Sequence, residues 1–438
     1  RWTVWSTRHE CPVCSNQFDL WETIDKADGR MGRATACPKC LHESDRRHFK
    51  VVSTAPVWVA FQRENGSLGE KAASSADVDR ATQVQMPADL WRPSNALGAD
   101  REMYLRCALH LQGIRTVADL YTTRNLKALA MLWQQILAVE DKRVQKALAF
   151  AFTNTAWHGT RMRRFNARGG HRPMTGTLYV PQLSSEANVL EVMKNKIGQL
   201  KSYYAAFRPT GSVVPAITLG SATKLQGVED ASIDYVFTDP PFGSNIFYAD
   251  CNLIWESWLG RVTDMTLEAV VNRSLSTAAG GKTLANYGDL MAQSMKEIVR
   301  VLKPGGWATV VFHNTDKDVW QAIRDAASEA GLEFHEASSL DRKQQSHKGY
   351  KGRSGAEDVA HFDVVMNLRK PAVKAKRGET TKERSLDLAA LVKAARSIPE
   401  VAARGLQGVH AEVMRNLASL GASEFPDFSE VRALYEGR

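Results

Sequence analysis

The sequence has no long hydrophobic run, and we expect no signal peptide. No stretch approaches the ~20 uninterrupted apolar residues that a membrane-spanning helix needs. We therefore expect no membrane partner. The chain begins with Arg1 rather than Met, which we interpret as the start of a piece of a longer product or of a processed chain.

Cysteine is scarce, and four of the six cysteines occur in two pairs, Cys11-x-x-Cys14 and Cys37-x-x-Cys40. Cys107 and Cys251 stand alone and are expected to be small buried residues. In a chain without an export signal, two such pairs favour zinc–thiolate coordination over disulfides, and we expect a cytoplasmic protein. Four sulfurs close the tetrahedral shell of Zn²⁺, so the predicted metal is structural.

Residues 1–70 are predicted to form a zinc ribbon. A proline lies in each cysteine pair, and the 22 residues between the pairs can form a hairpin. Such a ribbon lacks a core of its own, so metal binding supplies its folding energy. His9, His42 and His48 lie near the cysteines and are expected to be surface residues rather than ligands.

The remaining composition is that of an ordinary globular protein, with 44% hydrophobic and 24% charged residues. The length allows two or three domains, and the net charge of +9 favours a polyanionic partner. After a linker over residues 71–98, residues 99–172 have helical periodicity and predict a helical subdomain with a basic end. Within that end, Arg161 and Arg164 are candidates for phosphate contact. A solvated basic face is the alternative.

Residues 173–370 have an α/β pattern. A short strand is predicted at 217–223, a buried strand at 232–238, and further strands at 307–312, 332–337 and 362–368, with helices between them. The last two strands predict an antiparallel edge on a mainly parallel sheet. Lys303-Pro-Gly-Gly306 is expected to be a turn after a helix.

Beyond the sheet, the loop at 342–353 is rich in lysine and arginine. Lys348 and Lys351 in this loop are candidates for phosphate contact, with an ordinary surface loop as the alternative. Residues 371–385 are predicted to be a basic linker, and 386–438 a helical tail that packs or mediates an interaction.

The predicted buried strand ends in Asp239-Pro240-Pro241-Phe242. Two prolines cannot continue a ladder, so these residues lie at the carboxyl end of a strand, where open α/β sheets bind ligands. The cluster suits a weakly nucleophilic amino group, adenine N6 or cytosine N4. Asp239 and the Pro240 carbonyl could each accept one N–H bond, and Phe242 could stack on an extruded base. An ordinary strand-ending turn is the alternative.

Three segments follow one another in a known order: Leu219-Gly-Ser-Ala-Thr-Lys-Leu, then Asp239-Pro-Pro-Phe-Gly-Ser-Asn-Ile-Phe-Tyr-Ala-Asp250, then Arg300-Val-Leu-Lys-Pro-Gly-Gly306 with Val310-Val-Phe-His-Asn314. This order resembles the amino-methylating DNA methyltransferases, in particular adenine-specific enzymes with an internal zinc ribbon. The resemblance covers most of residues 1–370. It implies part of a Rossmann-like class I methyltransferase sheet, with the zinc ribbon and the helical subdomain inserted. It also implies S-adenosyl-L-methionine as methyl donor and DNA as partner.

The resemblance also implies roles for single residues. The catalytic candidates that hold and stack the base are Asp239, Pro240, Pro241 and Phe242. The candidates for donor binding are Gly220 and Ser221, and those lining the base pocket are Asn245 and Tyr248. Phe242 stands where tyrosine is more frequent, so that stacking is retained without a phenolic hydrogen bond.

The donor-binding glycine loop of that family, Phe-x-Gly-x-Gly after the first strand, is absent from this sequence. Gly169-Gly170 follows an arginine-rich stretch and Gly280-Gly281 lies after the catalytic strand, so neither pair has the required context. We therefore expect the donor-binding portion to lie upstream in a longer chain or in a separate partner chain.

The leading hypothesis is a DNA amino-methyltransferase of a restriction-modification or phage-defence system. It would act on adenine N6 or on cytosine N4, and other defence-system subunits are possible partners. The alternatives are an RNA or protein amino-methyltransferase, because related motifs serve both, and a non-catalytic zinc-ribbon nucleic-acid-binding subunit with a degenerate methyltransferase fold.

Overall fold

The computed structural model describes residues 2–24, 34–167, 169–207, 215–312, 314, 316–341, 362–372, 387–420, 422 and 425–437. Its contacts divide the chain into two compact units, Arg1–Val214 with Phe247–Thr263, and Pro215–Ile246 with Asp264–Arg438. Each unit has its own sheet and hydrophobic core. Within the described ranges, no helix is long and apolar enough to cross a membrane.

The first unit is built on a five-stranded sheet of β1 (Trp2–Glu10), β2 (Gln17–Asp19), β5 (Lys50–Gln62), β6 (Leu68–Ala72) and β7 (Leu183–Ala187). A separate hairpin consists of β3 (Ala34–Ala36) and β4 (Glu43–Asp45). The central strand β1 is antiparallel to β5 along one edge and to β2 and β7, one after the other, along the opposite edge. The amino-terminal strand is therefore completed by a segment far along the chain.

The helices of the first unit are α1 (Ser75–Thr82), α2 (Glu102–Arg106), α3 (Thr123–Leu137), α4 (Lys142–His158), α5 (Val189–Ala206) and α6 (Tyr248–Leu259). Side chains cap the two predicted helices of the subdomain, Thr122 before α3 and Asp141 before α4. Aromatic rings join three of the helices. The ring centroids are 4.8 Å apart for Trp133–Phe152 and 5.1 Å apart for Phe152–Trp258.

A buried ion pair lies inside the first unit. Arg101 Nη1 is 3.0 Å from Asp250 Oδ1, and both side chains are more than nine-tenths buried. The backbone N–H of Met103 donates to Asp250 Oδ2 over 2.8 Å. Burial raises the pKa of Asp250, against the lowering effect of these donors. Asp250 therefore connects α6 to the segment that opens α2.

A second buried carboxylate, Glu186 on β7, has donors from three elements. It accepts hydrogen bonds from the Trp5 indole at 2.7 Å, from the Thr122 hydroxyl and from the Arg124 guanidinium. These contacts fasten α3 to the sheet. No motif in the sequence marks Glu186.

The second unit has a four-stranded sheet in the order β10 (Glu333–Asp341), β11 (Phe362–Arg369), β9 (Leu302–Phe312), β8 (Ile233–Thr238). β8 and β9 are parallel, and β11 is antiparallel to both β9 and β10. The predicted antiparallel edge is confirmed, but the described sheet is not mainly parallel, because two of its three pairings are antiparallel. The protein is thus a mixed α/β protein.

The described part of the second unit contains six helices: α7 (Leu284–Val301), α8 (Lys317–Glu329), α9 (Leu388–Arg396), α10 (Pro399–Ala402), α11 (Gly405–Ser419) and α12 (Phe428–Glu436). α7 and α8 share one hydrophobic core with the sheet and with residues of the carboxyl-terminal helices, such as Val409, Leu417 and Val431. The carboxyl-terminal helices therefore pack on the core of the second unit.

Three sequence expectations for this unit are wrong. The predicted strand at 217–223 is absent, and residues 215–221 have no regular secondary structure. β8 is an edge strand in the described sheet, so Tyr235 and Phe237 are 54% and 63% exposed rather than buried. Residues 303–306 lie inside β9 and bulge from its pairing, because Ile233 pairs with Leu302 whereas Tyr235 pairs with Trp307.

We predict that Asp250→Ala destabilises the first unit by about 3–5 kcal/mol, because it leaves the Arg101 guanidinium buried and unpaired. Urea denaturation monitored by tryptophan fluorescence would measure the loss. Asp239→Ala is the control, since that carboxylate is exposed. An unchanged midpoint for Asp250→Ala would contradict a structural role.

Candidate active site and metal centre

The turn after β8 is held by hydrogen bonds to two consecutive carbonyl groups. The Tyr287 hydroxyl donates to the Pro241 carbonyl over 2.7 Å. The Asn314 Nδ2 donates to the Phe242 carbonyl over 3.1 Å. The two bonds fix the path of the chain immediately beyond the two prolines.

The two donors come from the elements that follow in the sequence. Tyr287 lies in the first turn of α7, after the Thr283 cap, and is fully buried. Burial raises its pKa, so the phenol keeps its proton at neutral pH. Asn314 directly follows the buried strand β9. Its side-chain oxygen accepts from the Asp316 N–H over 2.9 Å, which orients the amide.

The two preceding acceptors have no donor among the described residues. The Asp239 side chain is exposed at the end of β8, and nothing in the described ranges hydrogen-bonds to its carboxylate or to the Pro240 carbonyl. These are the two groups that the sequence analysis assigned to the amino group of a base. The turn therefore carries an anionic and a neutral acceptor on neighbouring residues.

Phe242 is half-buried and packs edge-on against Phe312 of β9, with ring centroids 5.4 Å apart at 87°. Gly243 follows at a φ of +67°, and a Cβ there would lie 3.2 Å from Val319 Cγ1. The chain therefore needs glycine at this position. Stacking of Phe242 on a base stays a prediction.

The predicted donor-binding residues lie in the irregular segment before β8. The Ser221 hydroxyl is engaged locally, 2.8 Å from the Thr223 hydroxyl, and Gly220 is exposed. Arg300 of α7 holds the residues that follow, because it donates to the carbonyls of Leu225 and Val228. The role of Gly220 and Ser221 toward a methyl donor stays a prediction.

The remaining candidates are distributed over both units. Asn245 is half-buried in the second unit, and Tyr248 opens α6 in the first. Arg164 is exposed, whereas Arg161 is half-buried, donates to the Asp119 carbonyl over 3.4 Å and has its pKa lowered by burial. Lys348 and Lys351 lie outside the described residues.

The four paired cysteines converge in the first unit. Their sulfur atoms all lie within 4.8 Å of one another, with Cys11–Cys40 at 3.6 Å and Cys14–Cys37 at 3.7 Å. A tetrahedron with Zn–S bonds of ~2.3 Å has sulfur atoms about 3.8 Å apart. All four thiols are free, so they fit a structural Zn²⁺.

The two cysteine turns have the same backbone. In each, the first cysteine N–H donates to the carbonyl five residues on, and its carbonyl accepts from the residue four positions on, all at 2.9 Å. The residues at the fourth position, Ser15 and Leu41, have φ values of 53° and 59°. The pair β1–β2 encloses one turn and β3–β4 the other. This repeated geometry presents both thiols of each pair to one point.

The expectation that His9 is a surface residue is wrong. It is completely buried rather than at the surface. Its ring lies between Phe18 and Phe49, with centroids 6.1 Å and 6.4 Å away, and desolvation lowers its pKa. It is not among the grouped metal ligands of the described residues. His9 supports the zinc centre by packing.

Comparison with family models and with curated proteins finds no match. Among solved structures, two of a protein named as a putative DNA modification methylase from Thermus thermophilus are similar. The selenomethionine derivative has 17% identity over 38% of this chain and 56% of that chain, and the complex with S-adenosyl-L-methionine has 16% over 41% and 61%. Both TM-scores are 0.20, too low to establish a shared fold.

We predict that the purified chain contains one Zn²⁺ and that Cys37→Ser removes it, because a fourth thiolate closes the shell. Release of metal to a chromogenic chelator would measure the content, and circular dichroism the loss of the amino-terminal strands. Cys107→Ser and Cys251→Ser, which lie outside the cluster, should retain the metal. A metal-free, fully folded chain would contradict the assignment.

We predict that Tyr287→Phe lowers the free energy of unfolding of the second unit by about 1 kcal/mol, since the Pro241 carbonyl loses its donor. Urea denaturation would measure it. Tyr235→Phe, at an exposed position of β8, is the matched control. Equal midpoints for the two variants would show that the hydrogen bond does not hold the turn.

Proposed function

We propose that this chain carries the base-binding side of an S-adenosyl-L-methionine-dependent DNA amino-methyltransferase, with adenine N6 as the methyl acceptor. Cytosine N4 is the second acceptor of the same chemistry. The observation that carries the proposal is the pattern of the turn after β8. The Pro241 and Phe242 carbonyls have donors, whereas the Asp239 carboxylate and the Pro240 carbonyl have none among the described residues.

Methyl transfer to an exocyclic amino group needs two hydrogen-bond acceptors close together, as on the neighbouring residues Asp239 and Pro240. The lone pair of an exocyclic amino group is delocalised into the ring, so the nitrogen is a poor nucleophile. Hydrogen bonds from its two N–H groups to Asp239 and Pro240 would hold the nitrogen nearer tetrahedral geometry and stabilise the positive charge that develops on it. The donor supplies the methyl group on a sulfonium, and the proton that the nitrogen loses would leave through the Asp239 carboxylate.

The free edge of β8 supports the proposal that the donor-binding side lies elsewhere. Parallel sheets are ordinarily covered on both faces, and an exposed apolar edge strand is open to pairing with another segment. In the described sheet β8 pairs only with β9, and Tyr235, Phe237, Ile217 and Leu219 are all more than half exposed. We propose that the donor-binding portion adds a strand along this edge.

We predict that Asp239→Ala lowers the rate of methyl transfer by about 10²–10³-fold, the cost of removing one preorganised group that stabilises transition-state charge. Transfer of a radiolabelled methyl group to duplex DNA, RNA and protein would measure the rate and identify the substrate class. The enzyme is assembled with its donor-binding portion. Asp234→Ala is the control, because Asp234 is an exposed residue of the same strand that pairs with Lys303 at 2.6 Å.

Retention of full activity by Asp239→Ala would refute the mechanism. Transfer only to RNA or to protein would move the proposal to that substrate. Full activity of residues 1–438 alone would show that no separate donor-binding portion is needed. Tight DNA binding without a donor site in any assembly would favour a non-catalytic subunit.

A further inference from the structure

A cavity of about 900 Å³ lies within the first unit, between α4, α5, α6 and the segment 174–177. Aromatic rings dominate its wall, supplied by Phe150, Trp157, Tyr203, Tyr204 and Trp255. The Asp239 turn belongs to the second unit. The proposed methyl transfer therefore does not use this cavity.

Two rings of this wall are held in place, and three others are exposed. The Trp255 indole donates to the Thr153 carbonyl over 3.0 Å, and its ring centroid is 6.3 Å from that of Trp157. Phe150, Tyr203 and Tyr204 are 70%, 53% and 58% exposed. Clustered exposed aromatic rings are unusual on a protein surface unless they bind something. Exposed rings beside two fixed rings form a surface for stacking.

The charge around the cavity is positive. No aspartate or glutamate lines it, whereas Lys196 does. The Lys196 ammonium donates to the neutral Gln199 side chain over 2.9 Å and has no carboxylate partner among the described residues. The pKa of His158, next to Trp157, is lowered to about 4, first by burial and then by the charges of Arg163, Lys196 and Arg172. An anionic ligand would therefore be attracted here.

Planar stacking surfaces beside unpaired cations are the pattern by which proteins bind single-stranded nucleic acid. We infer that this cavity binds an unpaired nucleobase of a DNA strand by stacking on the aromatic wall, with an adjacent phosphate at Lys196. The inference rests on the proposed nucleic-acid substrate. It adds a second base-binding site, separate from the turn that holds the methyl acceptor.

The cavity also offers polarity for a base edge. Asn154 lines it, and the Asn154 Oδ1 is buried without a hydrogen-bond partner among the described residues. A buried acceptor without a donor costs about 1–3 kcal/mol. Rotation of the Asn154 side chain toward the cavity would let this oxygen accept from the amino group of adenine or cytosine. A fatty acyl chain or an apolar peptide would leave this acceptor unpaired.

The test is the binding of a fluorescein-labelled 12-nucleotide oligodeoxyadenylate, measured by anisotropy. An abasic strand of the same length and the matching duplex serve as comparison probes. The double variant Tyr203→Ala/Tyr204→Ala should weaken binding of the oligodeoxyadenylate at least tenfold. Leu190→Ala, an exposed residue of the same helix outside the cavity, should not. The abasic strand should bind wild-type protein as weakly as the oligodeoxyadenylate binds the double variant.

The charge is tested with a matched pair on α5. Lys196→Ala should lower the dependence of log Kd on log salt by about one ion. Lys194→Ala, an exposed lysine that does not line the cavity, should have no such effect. Equal affinity of wild-type protein for the abasic and the adenine strands, or wild-type affinity in the double variant, would overturn the inference.

The same measurements separate this inference from the proposed function. Asp234→Ala should bind the oligodeoxyadenylate like the wild type, because Asp234 lies in the other unit and outside both proposed base-binding sites. Binding that depends on Tyr203 and Tyr204, with no methyl transfer in any assembly, refutes the proposed function alone. Methyl transfer that depends on Asp239, with oligonucleotide affinity unchanged by the double variant, refutes the cavity alone.

Discussion

The hydrogen bond from the Tyr287 phenol to the Pro241 carbonyl is the constraint on which the second unit's site depends. Pro240 and Pro241 end β8, and the chain would be free to leave the sheet in several directions. The Tyr287 phenol from α7 and the Asn314 amide beyond the end of β9 fix the chain in one direction. Because both donors are buried in the core that α7, α8 and the sheet share, the packing of the whole unit determines where Asp239 lies.

Local physical chemistry made much of the fold predictable. Proline ended β8, side-chain caps started α3 and α4, and the apolar periodicity gave the helices of the tail. The cysteine spacing was sufficient to place four thiols around one point, because each pair needs only a short turn of fixed backbone geometry. At the candidate site, the motif predicted roles for Asp239 and Pro240. Tyr287 was missed, since a tyrosine on the apolar face of an amphipathic helix is indistinguishable in sequence from a core residue.

Pairings between distant segments were not predictable from the sequence. β7 pairs with β1, although most of the first unit's sequence lies between the two strands. Glu186 on β7 is buried only because Trp5, Thr122 and Arg124 converge on it. His9 was expected at the surface, and it is buried because two phenylalanines from separate strands and turns enclose it. β8 was expected to be buried because its sequence is apolar. β8 is exposed because it has only one neighbouring strand in the described sheet. The composition of β8 does not determine how many strands pair with it.

Asp239 and Asp250 show why a motif alone does not assign chemistry. Both belong to one continuous segment that the sequence analysis treated as a single match. Asp250 is buried and has two donors, Arg101 and the Met103 N–H, so its capacity to accept is used in the fold. Asp239 is exposed and has no donor among the described residues. A carboxylate can hold an incoming amino group only if the protein has not already satisfied it, so of these two residues Asp239 alone keeps the capacity that the proposed function requires.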